Sequence, residues 1–203
     1  MKKIICFGDC ITEMGTSVEL RGFILQLADR YARRADVLAR GFSGYTTNEG
    51  RTILERAVLD EQPDFVVMLF GANDSVLPGQ IQHVPLDRYR HNLERMAEKI
   101  AVMGAWLVLV TPPPVYELKT KSRTMENTEE YCRACFEVGL EMNLPVVDLF
   151  HGIQEEEDWK ETCLMNGIHL SARGMDYLYR ELSSALDDII PLTDLKRMGV
   201  NGI

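Results

Sequence analysis

The chain lacks any apolar run long enough to cross a bilayer, which excludes a helical membrane span. Its N-terminus, "MKKIICFGD", begins like an export signal, but the apolar run stops at Asp9, short of a usable hydrophobic region. The five cysteines are odd in number and irregularly spaced, so they supply no disulfide framework. Reduced thiols and a cytoplasmic location are the expectation. Positive charge is in deficit: 22 Lys and Arg against 31 Asp and Glu give a net charge of -9. That balance argues against nucleic acid or an anionic membrane as partner. Walker and dinucleotide fingerprints are missing as well. "GFSG" does not follow G-x-G-x-x-G, so a nucleotide-binding flavodoxin-like protein would rest on fold analogy alone. No repeat, low-complexity segment or linker divides the sequence.

What is there suits one domain over 1–203: 203 residues, 46% of them apolar, can bury a proper core. Short β-rich runs stand at 3–7, 36–42, 65–70, 106–111 and 145–150. Helical spacing lies between them: Phe23, Leu27 and Tyr31 repeat at i, i+4, i+8, and Leu93, Met96 and Ile100 at i, i+3, i+7. Further helices are expected near 126–142 and 172–188. Near-continuous apolar strands point to parallel strands buried on both faces. The expected fold is therefore a three-layer α/β/α sandwich on a flavodoxin-like five-stranded parallel sheet. The tail at about 191–203, "PLTDLKRMGVNGI", would either fray or pack on a neighbouring copy in a homo-oligomer.

Ligands of such folds bind at the carboxyl ends of the strands, which here are the loops starting at Gly8, Gly41, Gly71 and Thr111. The fourth, "TPPPVYELKTKSRTMENT", is long and proline-stiffened, as expected of a wall or lid. Four clusters carry groups used in acyl transfer: "FGDCIT", "GFSGYTT", "FGANDS" and "NGIHLSARG". They offer a nucleophile, glycines for close backbone approach, an amide donor and a histidine. Other candidates have plainer readings. "CRAC" (132–135) lies in a helix with no second pair at metal-binding spacing, and Cys6 and Cys163 are small packing residues. His83, His91 and His151 lack a motif and suit solvent-facing or capping positions. Asp9 suits an anchor for its own loop through backbone N–H groups, and "EEED" (155–158) a solvated face.

In order and spacing, "RGFSGY", "FGAND", "HVPL" and "GIHLSARG" together resemble the SGNH, or GDSL, hydrolases, and most of all the isoamyl acetate-hydrolysing esterase branch. The resemblance covers most of the chain. It implies hydrolysis of small carboxylic esters through an acyl-enzyme, with no metal and no organic cofactor. By this resemblance Cys10 stands where the family has its nucleophilic serine, and His169 is the general base. Asn166 stands where the family has the acid. The oxyanion hole would comprise the backbone N–H groups of Cys10 and Gly44 and the side-chain amide of Asn73.

Two of the three triad positions thus depart from the family pattern. Asn in place of the triad acid costs a serine protease about 10⁴ in kcat, because it favours the wrong histidine tautomer. A thiol changes that arithmetic, since it ionises far more readily than a hydroxyl. Cys–His–Asn is also an arrangement that papain-like proteases use. At the start of a helical turn, with a histidine nearby, Cys10 is expected to favour its thiolate. Two readings stand side by side. One is a working thiol nucleophile that forms a thioester, with acyl transfer to amines or thiols competing with hydrolysis. The other is a natural or engineered variant with little or no turnover that binds or traps acyl groups. Asn166 also precedes Gly167, a pair in which succinimide closure is unhindered, so ageing is expected to return a carboxylate to 166.

Overall fold

The computed structural model describes residues 1–190; the tail expected at 191–203 lies outside the described residues. Five parallel strands form one sheet in the order β2-β1-β3-β4-β5. They are β1 (Lys2–Gly8), β2 (Ala35–Gly41), β3 (Phe65–Leu69), β4 (Trp106–Val110) and β5 (Val146–Val147). Residues alternate between the two faces of β1, as the two-residue period of a strand requires. Ile4 and Cys6 enter one core with α2 (Phe23–Arg30) and α8 (Ala172–Asp187). Ile5 and Phe7 enter the other, with α3 (Thr47–Ala57), α4 (Leu86–Met103) and α5 (Met125–Glu141). The three-layer sandwich follows from that alternation, because each face buries its own set of helices.

The structure corrects the sequence reading in three places. The run at 145–150 is a strand only at Val146–Val147. Asp148 then accepts the backbone N–H of His151 at 3.0 Å and caps α6 (Leu149–Gln154), so Leu149 and Phe150 are helical. β2 is an edge strand, half-buried over most of its length rather than covered on both faces. The spacing argument also did not single out α3. That helix is set by a capping box in which Thr46 caps the first turn and Glu49 returns to the Thr46 N–H at 2.8 Å. Two short α-helices, α1 (Cys10–Met14) and α7 (Trp159–Thr162), and two 3-10 turns at Leu59–Glu61 and Glu117–Lys119 complete the described elements. α1 is the helical turn expected after the first strand.

Candidate active site

The carboxyl ends of β1, β2 and β3 lie side by side, with Gly8 paired to both Gly41 and Leu69. Cys10 is the first residue of α1, immediately past the end of β1. Its neighbour Asp9 is fully buried and accepts the Ile11 N–H at 2.9 Å, the anchoring role expected of it. His169 comes from the loop between α7 and α8. Two contacts fold that loop: the Met165 N–H donates to the His169 carbonyl at 2.9 Å, and the Tyr116 N–H donates to the Gly167 carbonyl at 2.8 Å. The proline-stiffened loop at 111–124 therefore braces the histidine loop, as a wall would.

The chain brings Cys10, His169 and Asn166 together from opposite ends of the sequence. His169 Nε2 lies 3.2 Å from Cys10 Sγ. On the other side of the ring, Nδ1 lies 3.1 Å from Asn166 Oδ1 and 2.9 Å from Asn166 Nδ2. The same Oδ1 accepts the backbone N–H groups of His169 at 3.1 Å and Ile168 at 3.3 Å. Gly44 has φ +79, a left-handed conformation natural to glycine. Its backbone N–H acts on the Cys10 thiol to favour ionisation, as does that of Cys10 itself. Asn73 is buried on the loop after β3 and donates from Nδ2 to the Tyr45 carbonyl at 2.9 Å, next to Gly44. A groove lined by Ser43, Gly44, Tyr45, Ile81 and Gln82 opens beside this point.

The expected thiolate is not favoured in the free site. Burial pushes the Cys10 thiol up to about 12, and the neighbouring Asp9 charge adds to the effect. These outweigh the Gly44 N–H and the positive Arg123, which act in the opposite direction. Burial first, and Arg123 second, lower the pKa of His169. A neutral thiol therefore faces a neutral imidazole.

Two further residues shape this site, and neither is singled out by the sequence alone. Arg123, in the loop before α5, is only 8% exposed and donates from Nη2 to Asn73 Oδ1 at 3.1 Å. Asp74, fully buried, accepts from the backbone N–H (2.9 Å) and hydroxyl of Thr47 and ties the Asn73 loop to α3. No contact pattern announces a lone arginine in a polar loop. Asp74 was visible only as a letter of "FGANDS".

Among the described residues, Cys132, Asp148 and His151 bring potential metal-donor atoms within 4.8 Å of one another. Asp148 already caps α6 and bonds His151 Nδ1 at 2.8 Å, which accounts for the pair without an ion. Cys132 is buried, as expected of a packing cysteine, and His151 is exposed.

With this geometry, similarity to known proteins becomes specific. Residues 6–177 match the model of the GDSL-like Lipase/Acylhydrolase family. The chain is 35% identical to the mouse (Mus musculus) isoamyl acetate-hydrolyzing esterase 1 homolog over 204 residues, covering 91% of this chain and 81% of that one. It is 34% identical to a GDSL esterase/lipase of Arabidopsis thaliana over 212 residues, covering 92% and 86% respectively. The crystal structure of a lipase/acylhydrolase from Enterococcus faecalis superposes with a TM-score of 0.82 at 29% identity, covering 94% of this chain and 97% of that one. Strand order, site position and sequence agree: the chain belongs to the GDSL-like lipase/acylhydrolase family.

Proposed function

We propose that the protein is an esterase acting on small carboxylic esters through a thioester on Cys10, with His169 as base and Asn166 orienting it. The single observation carrying this reading is the 3.2 Å approach of His169 Nε2 to Cys10 Sγ. Sγ attacks the ester carbonyl carbon while Nε2 takes the thiol proton. The carbonyl electron pair moves onto oxygen, which the N–H groups of Cys10 and Gly44 and the Asn73 amide receive. Asn73 Nδ2 carries two hydrogens; one serves the Tyr45 carbonyl, and the second is available to the oxyanion. Collapse expels the alcohol, which takes the proton back from His169. Water, or an amine or thiol, then attacks the thioester with the same base and releases the acyl product and the free thiol.

A second reading, an acyl trap with little turnover, is favoured by one feature: the Asn166 amide lies within bonding distance of Nδ1 through its donor as well as its acceptor. Exposure to p-nitrophenyl acetate, followed by intact-protein mass analysis of the parent chain and of Cys10→Ala, separates these readings. A burst, an adduct on Cys10 and continued product release support the esterase. A stable adduct without further release supports the trap. No adduct on either protein overturns both.

A further inference from the structure

A buried guanidinium normally has a carboxylate beside it, because an uncompensated charge in the interior is costly. Arg123 has none at ion-pair distance among the described residues, although it is only 8% exposed. Three neutral oxygens hold it instead. Nε donates to the Ala72 carbonyl at 2.6 Å, Nη1 to the Ser122 hydroxyl at 3.0 Å, and Nη2 to Asn73 Oδ1 at 3.1 Å. Two of these acceptors are consecutive residues of the loop that presents the Asn73 amide. The positive charge is felt by Cys10, by Asp9 and by His169.

We infer that Arg123 is a positioning residue of the acyl-transfer site, locking the Asn73 amide so that Nδ2 faces the reacting carbonyl and holding a fixed positive charge behind the oxyanion that forms there. This rests on the proposed acyl-enzyme reading. An amide has two nearly equivalent orientations. A guanidinium can only donate, so the atom bonded to Nη2 must be the oxygen. The Tyr45 carbonyl can only accept, so the atom bonded to it must be the nitrogen. The amide is thus fixed from both ends before substrate arrives. Polarising Oδ1 strengthens the remaining N–H as a donor. Asp9 is the resident carboxylate that Arg123 feels, and it acts at a distance without an ion pair; the reaction adds a second negative charge, on the carbonyl oxygen. This is preorganised electrostatic stabilisation, directed at charge that exists only after attack.

The test compares Arg123→Met and Arg123→Lys with the parent protein, after circular dichroism and thermal melting confirm folding. Acylation of Cys10 by p-nitrophenyl acetate is followed in the burst phase. Alkylation of Cys10 by neutral iodoacetamide and anionic iodoacetate is followed across pH by peptide mass analysis. In Arg123→Met the acylation rate constant should fall about 10²–10³-fold with little change in half-saturation. Its alkylation profile should move to higher pH, and its preference for iodoacetate should drop about fivefold. Arg123→Lys, which keeps the charge but not the forked donors, should restore the alkylation profile more fully than the acylation rate. If Met folds poorly, Lys alone decides: acylation slowed at least tenfold with a parental alkylation profile supports positioning, and parental acylation refutes it. A folded Arg123→Met with unchanged alkylation profile and reagent preference overturns the role. Alkylation needs no turnover, so failure of the parent protein to acylate would count against the esterase reading while the charge effect is still read.

Discussion

His169 Nδ1 lies between two unlike atoms of one amide, 2.9 Å from Asn166 Nδ2 and 3.1 Å from Asn166 Oδ1. If Nδ1–H donates to Oδ1, Nε2 is left unprotonated and can take the Cys10 proton. If Nδ2–H donates to Nδ1, the proton sits on Nε2 and the ring cannot act as base. The backbone N–H groups of Ile168 and His169 pull Oδ1 toward their own side of the amide, which settles the amide orientation but leaves both atoms within reach of the ring.

Asn166→Asp removes the donor and leaves only acceptors, so the productive tautomer is enforced and the imidazolium gains a counter-charge. The expected result is a rise in kcat/KM toward p-nitrophenyl acetate, at most about 10⁴-fold, the size of the reverse change in a serine protease. Coupled with Cys10→Ser it should give an ordinary serine esterase. An Asn166→Asp protein no faster than its parent would show that tautomer choice does not limit turnover.

Ageing should produce the same change unaided. Asn166 is followed by Gly167, which has no side chain to hinder attack of its backbone nitrogen on the amide. Prolonged incubation at mildly alkaline pH should convert Asn166 partly to aspartate and isoaspartate, with activity rising in step with the aspartate fraction. Peptide mass spectrometry finding only asparagine after that incubation would refute this.

Removing the amide proposed as third oxyanion donor tests the proposed hole directly. Asn73→Ala should cut kcat by about 10²–10³. It also takes the acceptor from Arg123 Nη2, so the melting temperature should fall with it. Steady-state kinetics with unchanged kcat would place the hole elsewhere.

Asp9 and Asp74 are both fully buried, and burial raises each from 3.8 to about 7. In that window the native protein holds protons that the unfolded chain has released. Stability therefore falls as pH rises from about 4 to about 7, and the loss is complete above it. Urea midpoints at pH 5 and pH 8 should differ in that direction. Asp9→Asn, which keeps an acceptor for the Ile11 N–H, should flatten the decline. It should also lower the Cys10 thiol pKa, read as faster alkylation at neutral pH, because the Asp9 charge raises it. A thiol unmoved by this substitution would rule out the Asp9 field as a cause.

Gly41 closes β2 against α1, and a Cβ there would sit 2.0 Å from the Glu13 backbone nitrogen. Gly41→Ala should destabilise the fold by about 1–3 kcal/mol, the usual range for overpacking. It should also slow the proposed acylation of Cys10, since α1 carries that residue. A denaturation midpoint equal to the parent's would contradict this packing.

The sequence by itself determined the layers and which segments meet. Apolar runs marked β1, β3 and β4 because buried parallel strands need both faces apolar. The glycine-, asparagine- and histidine-bearing segments are the ones that converge at the strand ends. Apolar spacing failed at β5, where the Asp148 cap turns an apolar run into a helix, and at α3, which is set by the Thr46–Glu49 capping box rather than by its apolar residues. Only tertiary structure decided the ionisation and the wiring. Cys10 stays a thiol chiefly because the fold buries it. Asn73 is fixed by an arginine 50 positions away along the chain. Desolvation and convergence of this kind depend on what surrounds a group in space, and no residue's neighbours in sequence record that.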